Sequence, residues 1–268
     1  MTKIAKLIKA LSLFVKNPSL VNLIVESEYR WESELAERHP RYLTLPVVEI
    51  DTLIPDFNEQ LHSFTFLGGG SMPTDIMLLQ ALAKQIKDCS YFEIGTWRGE
   101  SVCHVAPKAK EAFTLNLSNE EILDLGMPKA YADLHGFFSK NIDNVTQLYG
   151  NSLHYDFKAL GRKFDLIFID GNHKYDFVKN DTQKVFEHLV KEDTIVVWHD
   201  YAFDPENIRA EVLLGVLDGV PENLKDNLYH VSNSMCAIYC NKKLASKVFE
   251  YPIKPNKIFD VTARMKRL

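Results

Sequence analysis

The apolar and polar positions divide the chain into a leading helical stretch and a long β-α alternation. In "KIAKLIKALSLFVKNPSL", Ile4, Leu7, Ile8, Leu11 and Phe14 recur at helical spacing, with Lys3, Lys6, Lys9 and Lys16 around them. A Pro- and Asp-punctuated segment follows at "LPVVEIDTLIPDF", so residues 1–70 read as a helical and irregular N-terminal extension. At "GGGSMPTDIMLLQALAKQI" the character changes. Three glycines make a joint, Ser71 or Thr74 can cap, and Ile76, Leu79, Leu82 and Ile86 predict a helix near 74–88.

From there strands and helices alternate. "SYFEIG", "AFTLNLS", "NVTQLYG", "FDLIFID" and "TIVVWHD" read as strands. "FDLIFID" is nearly all apolar, as expected of a strand covered on both faces. A helix starts near Glu100, and residues 119–140 are helical or irregular. "DFVKNDTQKVFEHLV" predicts an amphipathic helix with Phe177, Val178, Val185, Phe186 and Leu189 inward. "PENIRAEVLLGVLDGV" predicts another, opened by Pro205. "NLYHVSNSMCAIYC" reads as two strands joined by a tight turn, so the last strand runs antiparallel to its neighbour. The class is α/β: a Rossmann-like, doubly wound, mostly parallel sheet with helices on both faces. It occupies residues 71–242, with a C-terminal tail over 243–268.

Composition narrows the function. A chain of 268 residues with 46% apolar content can bury a core, and a net charge of −5 gives no support to a nucleic-acid-binding role. No window reaches the run of about 18 apolar residues that a membrane span needs. Cys236 and Cys240 share a strand face but sit too far apart to bridge. With Cys89 and Cys103 they read as free thiols of a reducing cytoplasm. Lys9 breaks the leading apolar run and no clear cleavage site follows, which argues against a signal peptide. Residues 1–20 therefore have two readings: a helix packed on the domain or on a second copy of the chain, or a basic amphipathic helix in peripheral contact with a membrane.

Chemistry concentrates at strand ends. "EIGTWRGES" places Gly95 and Gly99 in a short strand-to-helix loop, where backbone can approach a ligand. The spacing is not G-x-G-x-x-G, so a dinucleotide cradle and a Rossmann oxidoreductase are disfavoured. Glu93 would repel phosphate and suits an amine or a sulfonium. Asp170 ends one strand and His199-Asp200 ends the next, with His173 just beyond Asp170. These groups could converge at the sheet edge where α/β folds bind ligands. One reading makes Asp170, His199 and Asp200 a divalent-cation site that activates an acceptor oxygen. Another makes His173 or His199 a metal-free general base. A third leaves them as turn and capping residues. Trp97, Tyr175, Trp198 and Tyr201 could wall a ligand, although Trp198 reads as core. The other histidines (His104, His135, His154, His188 and His230) show no ligand spacing.

"E-I-G-T-x-x-G-x-S" resembles the first motif of class I S-adenosylmethionine-dependent methyltransferases. "IDGNHKYDFVKND" and "IVVWHDY" resemble two further motifs of the branch that includes small-molecule and sugar O-methyltransferases. The resemblance covers about residues 70–240 and implies a seven-stranded sheet. It implies S-adenosylmethionine held by Glu93, Gly95, Thr96, Trp97, Arg98, Gly99, Ser101 and Asp170, with Ser152 near adenine. The ribose position, usually acidic, carries Asn116, which supplies hydrogen bonds but no charge. Some relatives hold a metal through three oxygen ligands. Here His199 replaces a carboxylate, which suits manganese, iron or zinc better than magnesium. The implied reaction is O-methylation of a small-molecule or glycan hydroxyl. The alternative is a non-catalytic ligand-binding protein on the same fold.

Overall fold

The computed structural model describes residues 1–267. The N-terminal segment opens with α1 (Lys3–Lys16), α2 (Asn22–Val25) and α3 (Glu28–Arg38). Neither α1 nor α2 buries a residue, whereas α3 buries Trp31 and Leu35. A short strand β1 (Val47–Val48) and the single turn α4 (Ile50–Leu53) lead to α5 (Pro73–Gln85). The first turn of α5 is closed by neither Ser71 nor Thr74 but by Asp75, whose carboxylate accepts from the Met72 N–H at 2.8 Å.

The alternation then runs β2 (Ser90–Ile94), α6 (Glu100–Val105), β3 (Glu111–Asn116), α7 (Asn119–Asp124), α8 (Lys129–Ala132), β4 (Val145–Tyr149), β5 (Phe164–Ile169), α9 (Tyr175–His188) and β6 (Val190–Trp198). The five strands read from "SYFEIG" to "TIVVWHD" all form. Pro205 does not open a helix. It sits in the turn of a small hairpin, β7 (Ala202–Asp204) and β8 (Asn207–Ile208), and α10 begins only at Ala210 and runs to Gly219. β9 (Leu228–Val231) and β10 (Ala237–Tyr239) pair antiparallel, as the tight turn between them requires.

The sheet is nine-stranded, in the order β11-β1-β9-β10-β6-β5-β2-β3-β4, where β11 is Ser246–Lys247. Seven of these strands are the ones expected. β1 and β11 come from the flanking segments and extend the edge beyond β9. They are two-residue strands with no periodicity of their own, and only pairing with a neighbour defines them. β10 alone runs against both of its neighbours, β6 and β9.

Alternation along the strands sorts side chains into two cores. Phe92, Ile94, Ile167, Ile169, Val196 and Trp198 face α9 and α10. Tyr91, Leu166, Phe168 and Val197 face α5 and α6. On α9, Val178 and Val185 are buried, while Phe177 and Phe186 are only partly covered. The cysteines are free. Among the described residues, no helix is long and apolar enough to cross a membrane.

Candidate active site

The chain runs outward from β2 to β3 and β4, then crosses back to β5 on the other side of β2. Strand order reverses there, so a crevice opens at the carboxyl ends of β2 and β5, the general ligand position in such sheets. Gly95 follows β2 and Asp170 follows β5. Their backbones are nearly in contact: a Cβ on Gly95, at φ 98°, would lie 2.0 Å from the Asp170 carbonyl oxygen. The glycine expected to admit a ligand thus first admits the neighbouring strand end. Gly99, at φ 79°, is likewise crowded by protein, since a Cβ there would lie 2.7 Å from Ser139 Oγ. Trp97 between them also has positive φ, at 43°. The loop is pinned from outside: Gly136 N–H donates to Trp97 O at 2.6 Å and Phe138 N–H to Arg98 O at 2.9 Å.

The first-motif residues form a connected set. Glu93 is fully buried and accepts from Ser101 Oγ at 2.6 Å, Tyr91 Oη at 2.7 Å and Thr114 Oγ1 at 2.9 Å. Burial pushes its carboxyl up to about 7, against the pull of those three hydroxyls. Ser101, expected at the cofactor, therefore directs its hydroxyl to Glu93. Thr96 Oγ1 lies 2.6 Å from Thr114 Oγ1 and accepts from Gln147 Nε2 at 3.1 Å. Arg98 donates to Gly68 O at 3.1 Å, and its guanidinium covers the Trp97 ring at 4.7 Å. That ring also packs on Tyr131 at 4.8 Å, and its buried Nε1–H has no partner among the described residues. Asn116 ends β3, with its amide donating to Leu117 O at 3.0 Å. The Ser152 carbonyl accepts from Asn180 Nδ2 at 3.2 Å, and burial raises the nearby Asp181 carboxyl to about 6.

The fourth and fifth strands deliver the second cluster. β5 and β6 pair in parallel with Ile169 opposite Trp198, which sets Asp170 beside His199. Asp170 N–H donates to Ile94 O at 2.8 Å and His199 N–H to Ile169 O at 3.0 Å, so three strand ends are laced together. His199 Nδ1 lies 3.0 Å from Asp170 Oδ1 and 3.5 Å from Asp200 Oδ2, yet neither approach is aligned as a hydrogen bond, and this buried nitrogen has no partner among the described residues. Asp200 is held at φ 54°, which turns its carboxylate back toward the ring. His173 Nδ1 stands 3.2 Å from Asp200 Oδ2 with its side chain 48% exposed. One atom each from Asp170, His199 and Asp200 lies within 4.8 Å of the others.

Asp75 completes the cluster, and the sequence reading did not find it. It lies on α5, is fully buried, and accepts from Met72 N–H at 2.8 Å and Met235 N–H at 2.9 Å. Its Oδ2 also lies 3.1 Å from His199 Nε2. A carboxylate cannot donate, so Nε2 carries the proton. The second ring nitrogen is thereby turned toward Asp170 and Asp200. The available signal was an acidic residue in the first turn of an apolar helix, which reads equally well as an ordinary capping residue.

Electrostatics follow from this crowding. Burial pulls the His199 imidazole down, but the carboxylates of Asp170, Asp200 and Asp75 outweigh it and hold the ring well above its usual range. Burial raises Asp170. Burial also opposes ionisation of Asp200, but His173 and His199 hold its carboxyl well below the usual range.

Several expected ligand walls are structural instead. Trp198 and Tyr201 are fully buried; Trp198 donates to Thr182 Oγ1 at 2.9 Å, and Tyr201 Oη accepts from Leu45 N–H at 3.1 Å. Tyr175 stacks on Trp31 with centroids 5.6 Å apart. His104 is a core histidine whose Nε2 accepts from His62 N–H at 3.1 Å.

Residues 92–201 match the family described as a methyltransferase domain, and they hold the whole crevice except Asp75. This part of the chain is similar to a methyltransferase domain. The resemblance carried by "EIGTWRGES", "IDGNHKY" and "IVVWHDY" is borne out by that match. No curated protein matches the chain. Among solved structures, the chain is similar to the SAH-bound methyltransferase PaMTH1 of Podospora anserina, at 18% identity and a TM-score of 0.47, over 65% of this chain and 81% of that one. An O-methyltransferase from Bacillus cereus in complex with SAH gives 17% identity and 0.45, over 65% and 84%. The O-methyltransferase TomG of Streptomyces achromogenes, with SAM, gives 17% and 0.41, over 81% and 99%.

Proposed function

We propose that the methyltransferase domain transfers a methyl group from S-adenosylmethionine to a hydroxyl of a small molecule or glycan, with a divalent cation held by Asp170, His199 and Asp200. The observation that carries the metal part of this reading is the buried, partnerless Nδ1 of His199, aimed between two carboxylates. A cation in that gap would satisfy all three groups at once. The mixed nitrogen and oxygen donor set fits manganese, iron or zinc. When bound, the metal would supply Lewis acidity that lowers the acceptor hydroxyl's pKa.

The chain's own residues do the rest. Gly95 and the Asp170 backbone close the floor of the crevice, so a methyl donor would lie above the first-motif loop, between the ends of β2 and β5. Glu93, made rigid by three hydroxyl donors, places a buried carboxylate beneath that loop. The donor sulfonium is already a good leaving group, so alignment and proton removal remain as the tasks. Against the pull of burial, the carboxylates of Asp170, Asp200 and Asp75 hold the His199 ring above its usual range, which disfavours it as the base. His173 would then take the acceptor proton, a reading supported by its pairing with Asp200 and its exposure to solvent.

Calorimetry with S-adenosylmethionine, S-adenosylhomocysteine and NAD tests the donor assignment, and methyl transfer measured with and without EDTA tests the metal. Binding of neither sulfur compound would defeat the reading. Full activity in EDTA would leave the methyl-transfer assignment standing and remove the metal from it.

A further inference from the structure

We propose that α1 is a docking surface for an anionic lipid bilayer. No residue of α1 is buried. Ile4 is 72% exposed, Leu7 60%, Ile8 63%, Leu11 55% and Val15 83%. At helical pitch these residues and Phe14 fall within an arc of roughly 120°. Lys6, Lys9 and Lys16 lie on the opposite side, and Lys3 flanks the apolar stripe, where its stem can lie along lipid while its head reaches outward. A second exposed apolar band follows at Leu23, Ile24 and Val25.

Charge selects the occupant. Residues 1–25 carry four lysines and no acidic side chain. The remaining residues hold 27 basic and 36 acidic side chains, a net charge of −9. Two copies of α1 paired through their apolar stripes would turn the lysines outward and give them no acidic counterpart. An apolar protein groove would match the stripe and leave the lysines without a counterpart. A bilayer with anionic headgroups matches both sides of the helix and repels the acidic body, which confines contact to the N-terminal segment.

The docked helix would enter the fold at the rim of the crevice. Glu26 pairs with Lys174 at 3.2 Å, one residue from His173. Arg30 donates to Val25 O at 3.3 Å, and Trp31 of α3 stacks on Tyr175. None of this depends on the methyl-transfer reading.

Co-sedimentation of the full chain with phosphatidylcholine vesicles, with and without phosphatidylglycerol, tests the proposal. Binding should be roughly tenfold or more tighter with phosphatidylglycerol and should weaken as salt is raised. Leu7→Asp with Leu11→Asp, and separately Lys6→Glu with Lys9→Glu, should each lower binding at least as far, with thermal melting unchanged because α1 buries nothing. Equal binding to both vesicle types, or binding that survives both double variants, overturns the proposal. A dimer in light scattering that the leucine variant splits, without vesicle binding, also overturns it and assigns the stripe to a second copy.

Discussion

His199 Nε2 lies 3.1 Å from a carboxylate oxygen of Asp75, a residue 124 positions earlier in the chain and outside the matched methyltransferase segment. The contact exists because of the sheet's two-residue period. Leu166, Phe168 and Val197 face α5, so Asp170 and His199, continuing the same alternation, turn toward α5 as well. Asp75 is the acidic residue waiting there, held by two backbone N–H groups.

Asp75→Asn should weaken metal binding roughly 10–100-fold, the usual effect of losing a carboxylate behind a histidine ligand. Asp75→Ala should in addition destabilise the fold by about 3–5 kcal/mol, because it leaves buried polar partners without an acceptor. Manganese titration calorimetry and urea denaturation separate the two effects. Wild-type metal affinity in Asp75→Asn would remove Asp75 from the site.

Asp200→Ala should abolish stoichiometric divalent-cation binding and reduce methyl transfer by two orders of magnitude or so, if metal polarisation of the acceptor contributes several kcal/mol. S-adenosylhomocysteine affinity should change little. Elemental analysis, turnover and calorimetry on one preparation check all three.

Gly95→Ala should be among the most damaging single changes. The added methyl would lie 2.0 Å from the Asp170 carbonyl oxygen, and φ 98° is strained for any side chain. A loss of about 3 kcal/mol or more is expected from the clash and the backbone strain together. Urea denaturation measures it. Alanine at Gly161, where a Cβ would meet nothing within 4 Å, should cost only the backbone strain.

Glu93 makes stability depend on pH. Burial raises its carboxyl to about 7 in the folded protein, against an ordinary value of 4.5. A raised carboxyl contributes fully below the unfolded value, and that contribution is lost as pH rises through about 7. Wild type should therefore lose stability relative to Glu93→Gln between pH 5 and 8. Denaturation of both proteins across that range should give diverging curves, and parallel curves would show that Glu93 titrates as an ordinary glutamate.

The centre of the sheet was legible because β2 to β5 are runs of five or six residues broken by turns and β6 ends in the apolar run 195–198, and local pattern is enough to mark such elements. The pairing of Asp170 with His199-Asp200 was legible for the same reason: consecutive parallel strands in this fold class are neighbours, and each ends in a polar residue. β1, β11 and the β7–β8 hairpin were not legible, because they are two- and three-residue strands without the flanking apolar residues and tight turn that marked the equally short β10. Pro205 shows the ambiguity well, since proline suits a helix start and a turn equally and only the chain's path decided.

By itself the sequence determined the α/β class, the loop chemistry of "EIGTWRGES" and the carboxylate-imidazole cluster, since periodicity and strand ends are local properties. Tertiary structure decided which groups face which. It set Gly95 against the Asp170 backbone, enclosed Glu93 with three hydroxyls, buried Trp198 and Tyr201 away from any ligand, and brought Asp75 to His199. Those outcomes depend on strand register, on the face each side chain takes and on the docking of α5, and none of these is written in the residues on either side.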